Sequence, residues 1–259
     1  MTELSGKVAL VTGSGKGIGR GIALGLAKCG AKVVVNYNSN KIKACQTAED
    51  IRRMGASALL VGADVSNEAD IKRMFSEIAV HYGKLDILVN NAATQPNESF
   101  AAYSEDQLKN VFYVNLRGYL LCIKYAAEYM KASGSGSIVN ISSIHAKRPT
   151  GFDVGYSMTK GAIKMLTREA AIELDRYKIN VNAVEPGYIE IGEKSGDSKT
   201  IITAEMENAK PLFDYMRWYK YRAVGLPEDV APIVCFLVSD ENRIITGTSV
   251  RVDGCGMLL

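Results

Sequence analysis

The feature that most constrains this chain is a regular alternation between short, β-branched apolar runs and stretches with helical spacing. The run at 8–12 is followed by an amphipathic stretch over 17–30, 32–37 by one over 41–55, 58–63 by one over 67–82, and 85–90 by a long one over 104–131. The rhythm continues with 137–142, a helical stretch from about 153 to 175, 179–184, a helix over 227–239 and a last run over 248–253. Strands that are apolar at successive positions are buried on both faces, and helices between them cross over right-handedly to cover both sides. The pattern predicts an α/β chain: a single domain over 1–259 with a doubly wound, seven-stranded parallel sheet and helices on both faces. Gly30 and Gly55 fall where left-handed helix caps are needed, and SGSGS at 133–137 reads as a flexible turn into the fifth strand. The segment 187–226 breaks the rhythm. It is longer than connections in compact domains usually are and is read as a substrate lid.

Composition narrows the functional classes. Apolar residues make up 47% of the sequence, yet no uninterrupted apolar run approaches eighteen, so no membrane span is expected. The net charge of +3 is small and scattered, which argues against a nucleic-acid partner, and the basic clusters Lys147-Arg148 and 217–222 read as solvated faces or pocket rims. Five cysteines (Cys29, Cys45, Cys122, Cys235, Cys255) form no CxxC pair, and the two histidines, His81 and His145, have no helical i+4 partner, so no metal is expected. The start, MTELSGKVALVTG, sets Lys7 against the first strand without a leader pattern, from which a cytoplasmic protein is expected.

Chemistry first enters at TGSGKGIGR, residues 12–20, between the first strand and the first helix. Glycines there let the backbone approach a pyrophosphate, while N–H groups and the positive helix end stabilise its charge, as in a Rossmann fold. The spacing is TGxxxGIG, with Gly13, Gly17 and Gly19 in the key places. The second strand ends Val35-Asn36-Tyr37-Asn38-Ser39 with no acidic residue to bind a ribose 2′-hydroxyl, while Lys16 projects from the turn toward the same ribose. NADP(H) is therefore expected in preference to NAD(H), with use of both open.

Tyr156 and Lys160 stand at i and i+4 in YSMTK, on one helical face. A nearby ammonium favours phenolate, and an oxidised nicotinamide adds a second positive charge, so the phenol is expected to titrate nearer neutrality and to serve as general acid and base. Ser143, at the carboxyl end of the fifth strand, opens onto the crevice where parallel sheets bind ligands; Ser142 should point away.

Together these residues resemble the short-chain dehydrogenase/reductase family over nearly the whole chain. TGSGKGIG, including Ser14, Gly15 and Ile18, matches the cofactor turn, Asp64-Val65 the adenine-side contact, Asn90-Asn91-Ala92 the sheet-stabilising turn, and Pro186-Gly187, with Ile189 after it, the nicotinamide-side turn. The resemblance implies hydride transfer at the nicotinamide, proton exchange by Tyr156, positioning of the substrate oxygen by Ser143, a lysine (Lys160) that holds the ribose, a water relay anchored by Asn115, and a homotetramer. The sequence departs from the pattern at Ala93, where the family has glycine, at Ile191, where a threonine often touches cofactor, and at Cys255 in Asp253-Gly254-Cys255.

The segments this pattern places around substrate carry Gln95, Asn97, His145, Lys147, Arg148, Tyr188 and Glu190, polar groups that a polyhydroxylated molecule satisfies and a long acyl chain does not. SSIH further resembles the sugar-oxidising members, so a sugar, sugar acid or polyol is the expected substrate. FDYMRWYKYR at 213–222 is either a lid offering aromatic faces and Arg217 to substrate or a packed helix. Two alternatives stand beside this reading: a 3-oxoacyl-thioester (acyl-carrier-protein) reductase, and a non-catalytic nucleotide-sensing protein on the same fold.

Overall fold

The computed structural model describes residues 3–151, 153–191, 224–242 and 244–258. Its centre is a seven-stranded, all-parallel sheet: β1 (Val8–Val11), β2 (Lys32–Tyr37), β3 (Ala58–Gly62), β4 (Ile87–Asn90), β5 (Gly136–Ile141), β6 (Ile179–Pro186) and β9 (Ser249–Val252). The order is β3-β2-β1-β4-β5-β6-β9, so the chain winds outward from β1 to one edge and then returns to build the other half from β4. That reversal opens a crevice at the carboxyl ends of β1 and β4, where ligands of open parallel sheets bind.

Helices α1 (Gly17–Lys28), α2 (Lys41–Arg53) and α7 (Pro227–Leu237) cover one face; α3 (Glu68–Tyr82), α5 (Gly118–Ser133) and α6 (Val154–Leu174) cover the other. Each face seals its own apolar layer: Val33, Val35, Val139 and Val184 beneath the first group, Val34, Leu88, Ile138 and Val181 beneath the second. At Gly21 and Gly25 an added Cβ would strike the Pro227 backbone and the Ala231 side chain, so these glycines set how closely α1 and α7 approach.

The long helical stretch expected over 104–131 runs from Glu105 to Ser133 and contains a π-helical turn. α4 (Glu105–Phe112), capped by a Ser104–Gln107 box, passes through a π-helical turn at Tyr113–Arg117 into α5. Asn115 is fully buried and its amide bonds away from the helix axis, accepting from the Thr94 N–H at 2.8 Å and donating to the Thr94 carbonyl at 2.9 Å and the Thr159 hydroxyl at 3.3 Å. At Gly118 a Cβ would lie 2.8 Å from the Val65 carbonyl oxygen, so the turn also needs a residue without a side chain. A second short ladder, β7 (Tyr188–Ile189) with β8 (Val224–Gly225), closes off the ends of the expected lid; 192–223, including Arg217 and the 213–222 segment, lie outside the described residues.

Candidate active site

The glycine turn is fixed from behind and left open in front. Gly13 and Gly17 have φ of +63° and +53°, backbone that L side chains disfavour. The Thr12 hydroxyl accepts the N–H groups of Asn91 and Ala92, and the Asn91 amide donates to the carbonyls of Thr12 and Gly13. Thr12 thereby ties the turn to β4, a role the sequence pattern did not single out. Ser14 and Asn36 are buried behind the turn: the Ser14 hydroxyl donates to Val11, while Asn36 accepts from Gly13 N–H at 3.0 Å and donates to Val61 and Ala63. Asn36 is thus the brace between turn and sheet, its amide already engaged on both sides.

In front lies a cleft of about 470 Å³ lined by Gly13 and 15–19, by 36–40 with Lys43, by 63–65, and by 91–94 with Ile191. It contains most of the residues expected to contact cofactor, and adds Lys43, Thr94 and Ile191. Asp64 accepts from the backbone and hydroxyl of Ser66, which holds that corner of the cleft in place. The floor suits a dinucleotide. α2, α3, α4 and α6 are capped by side chains of Asn40, Asn67, Ser104 and Asp153, whereas α1 begins at Lys16 with no side-chain cap and no acid in its first turn. Its first N–H groups and helix dipole face an anion's place, so these residues fit a pyrophosphate.

Beyond that cleft, β5 delivers Ser142 and Ser143 to opposite tasks. Ser142 donates to the Lys160 carbonyl at 2.9 Å, while the Ser143 hydroxyl accepts from the His145 N–H at 3.1 Å and is hydrogen-bonded to the Tyr156 phenol. Lys160 is 2% exposed; its ammonium donates to the Ile141 carbonyl at 2.8 Å and lies 5.5 Å from the Tyr156 and Tyr119 ring centroids. The Tyr119 hydroxyl reaches the same carbonyl at 3.1 Å. The i,i+4 convergence predicted from YSMTK is present, but the protein's own groups do not lower the phenol. Burial pushes the Tyr156 phenol above its ordinary 10, with the Ser143 bond opposing and the Asp153 charge reinforcing. Burial also brings Lys160 from 10.5 down to about 7. Burial is the leading cause for both groups.

His145 follows on a short 3-10 turn, its ring edge-on to Tyr156 at 6.3 Å. Nδ1 lies 2.8 Å from the Arg148 carbonyl, which can only accept, so Nδ1 carries the proton; burial lowers the ring's pKa and leaves Nε2 an acceptor at neutral pH. Lys147 is exposed, as a solvated rim would be, but it is also anchored. It pairs at 2.7 Å with Glu185 Oε2, a carboxylate with no exposure, and Arg148 donates to the Gly256 carbonyl, tying the same loop to the carboxyl-terminal turn. Tyr188 packs with Ile144, Val224 and Met257, Gln95 is exposed on the loop after β4, and the Gly187 N–H donates to Val252 beside the end of β6.

A dinucleotide cleft at the switch of a parallel sheet, with a serine, tyrosine and lysine assembled beside it, defines a nicotinamide-dependent oxidoreductase of alcohols and carbonyls. The family profile described as enoyl-(acyl carrier protein) reductase matches residues 13–257. The chain is 39% identical to glucose 1-dehydrogenase 2 of Bacillus subtilis over 259 residues, 99% of this chain and 96% of that protein. It is 35% identical to 3-oxoacyl-(acyl-carrier-protein) reductase of Staphylococcus aureus over 248 residues, 96% of this chain and 97% of that one. A gluconate 5-dehydrogenase from Burkholderia cenocepacia, solved with NADP and tartrate, superposes with a TM-score of 0.86 at 31% identity, covering 99% of this chain and 97% of its own. The chain belongs to the short-chain dehydrogenase/reductase family, whose members bind a nicotinamide cofactor. Among the described residues no helix is long and apolar enough to cross a membrane.

Proposed function

We propose that this enzyme interconverts a secondary alcohol and a carbonyl on a sugar, sugar acid or polyol, with NADP(H) used in preference to NAD(H). A bound nicotinamide supplies the hydride acceptor or donor. Tyr156 exchanges the proton of the substrate oxygen, Ser143 hydrogen-bonds that oxygen and fixes its distance from the phenol, and Lys160, held on Ile141, supplies positive charge behind the ring. Asn115 holds the π-helical turn against Thr94 and Thr159, shaping the backbone beside the lysine.

The observation that carries the substrate class is the polar character of the groups beside Tyr156: the His145 ring edge-on to the phenol at 6.3 Å, with Gln95 and Asn97 exposed on the loop after β4. A polyhydroxylated substrate offers these groups hydrogen bonds that a long acyl chain lacks. The names of the glucose and gluconate dehydrogenases among its relatives support the same class. Preference for NADP(H) is supported by Lys16 and Lys43, both exposed on the cleft beside 37–40, a segment without a carboxylate. An apolar stripe of Leu120, Met158, Met165 and Ile172 on the outer faces of α5 and α6 supports a homo-oligomer.

The test is a panel of sugars, sugar acids and polyols with NADP⁺ or NAD⁺, beside acetoacetyl thioester with NADPH, read as reduced-nicotinamide absorbance and repeated with Tyr156→Phe. Turnover on a hydroxylated substrate, lost in the variant while cofactor binding persists, upholds the reading. Thioester reduction with silence on the sugars moves the protein to the acyl-reductase class.

A further inference from the structure

The loop after β4 and the first turn of α6 meet on a single side chain. Asp153 is 2% exposed; its Oδ1 accepts from the Tyr156 N–H at 2.9 Å and the Tyr103 hydroxyl at 3.1 Å, and its Oδ2 accepts from the Asn97 N–H at 2.9 Å. Three donors thus converge on two oxygens. An amide would present only one acceptor oxygen, so only a carboxylate satisfies the arrangement without leaving a donor opposed by another donor. A helix cap needs only the first of these bonds. The other two reach 56 and 50 residues back along the chain.

The surroundings are shaped to this contact. Thr150 accepts from the Asp153 N–H at 2.8 Å and donates to its carbonyl at 3.2 Å, which fixes the cap from below. Asn97 takes the left-handed conformation, φ +60°, to bring its loop in. At Gly155, a Cβ would collide with the Tyr103 hydroxyl, so the first turn of α6 leaves room for that ring.

We infer that Asp153 is a positioning residue: it latches the substrate-side loop to the helix that carries Tyr156 and places a negative charge near that phenol. The inference rests on the reading of Tyr156 as the proton-exchanging group. The ionisable groups facing the phenol are Lys160 and Asp153 on α6, His145 from the turn after β5, and Tyr119 from α5, with the Ser143 hydroxyl bonded to it. Asp153 is the carboxylate of that set. A negative charge there disfavours phenolate, which must take a proton from an alcohol, and favours phenol, which gives one to a carbonyl. Asp153 thus adds to the burial of Tyr156, the larger effect, in favouring phenol over phenolate.

The full chain labelled with ζ-¹³C tyrosine tests this without any substrate. Tyr156→Phe identifies the Tyr156 resonance by its disappearance, and the resonance is then titrated in the native chain and in Asp153→Asn. The midpoint should fall by about one pH unit in the variant, and hydrogen exchange at the Asn97 amide should quicken more than tenfold. Gly155→Ala, which displaces Tyr103 and keeps the charge, should quicken that exchange and leave the midpoint in place. Should the asparagine variant not fold, Asp153→Ser removes the same charge at a position where serine is a favoured cap. A midpoint that stays or rises on loss of the charge overturns the inference. Retained turnover in Tyr156→Phe would instead overturn the role of Tyr156, and leave the titration result standing.

Discussion

The ammonium of Lys160 is held 2.8 Å from the carbonyl oxygen of Ile141, inside the protein and away from water. Nothing ionic among the described residues pairs with it directly; a backbone dipole and two aromatic faces hold it. This is why its affinity for a proton falls to about 7.

Stability should therefore depend on pH in part through this group. The folded lysine titrates at about 7 and the unfolded one near 10.5, so between these values the unfolded chain binds a proton that the folded chain does not. Stability from this group rises with pH across that window, and below about 7 its full penalty is present. Lys160→Met removes the penalty and leaves the Ile141 carbonyl paired with Tyr119. The cofactor-free variant should gain most on the native protein at pH 6, and the gain should shrink by about 1.4 kcal/mol per pH unit above 7. Denaturant melts at pH 6, 7, 8 and 9 measure it; a constant gap would show that Lys160 keeps its proton.

Cofactor choice should respond to the lysines of the cleft. Replacing both Lys16 and Lys43 with alanine should raise KM for NADP⁺ by about tenfold or more, since a charge-assisted bond to phosphate contributes about 1.5–3 kcal/mol, with KM for NAD⁺ little changed. Equal effects on the two cofactors would place both lysines away from the 2′-phosphate.

The buried Glu185 makes Lys147 a structural residue of the loop that carries Ser143 and His145. Glu185 Oε2 has its lysine at 2.7 Å, while Oε1 has no hydrogen-bond partner among the described residues. Lys147→Met strands the charge and should cost about 3 kcal/mol, seen as a lowered denaturation midpoint. Adding Glu185→Gln should recover most of it, and failure to recover would mean that the pair is not the source.

Cys255 has φ of +70°, a conformation that suits glycine. It is exposed and its pattern in the family is glycine, so Cys255→Gly should stabilise the chain by about 1 kcal/mol, about 2–4 °C in Tm. A lower Tm would indicate that the cysteine side chain contributes contacts that outweigh its backbone strain.

Much of this was legible along the chain, because its physical basis is local. Apolar runs set the seven strands of the central sheet near their observed limits, Gly30 and Gly55 do take positive φ, and the four-residue spacing of Tyr156 and Lys160 put them on one face. What the linear pattern missed depends on neighbours distant in sequence. The helix expected over 104–131 carries a π-helical turn at Tyr113–Arg117, where the buried Asn115 side chain bonds Thr94 and Thr159. Asn36 lines the cleft but also braces the turn from behind, its amide engaged by Gly13 and two carbonyls of β3 and its end, a role only the fold shows. Asp153 reads in sequence as a helix cap, and only the fold brings Asn97 and Tyr103 to it.

The protonation of the site shows the same division. The sequence by itself determined the α/β architecture, the glycine turn and the Ser143, Tyr156 and Lys160 set, since periodicity, turn chemistry and helical spacing act over a few residues. Tertiary structure alone decided how those groups titrate, which polar side chains brace the framework and which face the cleft. Desolvation and many-donor hydrogen bonding depend on everything packed around a group, and that environment comes from the whole chain at once.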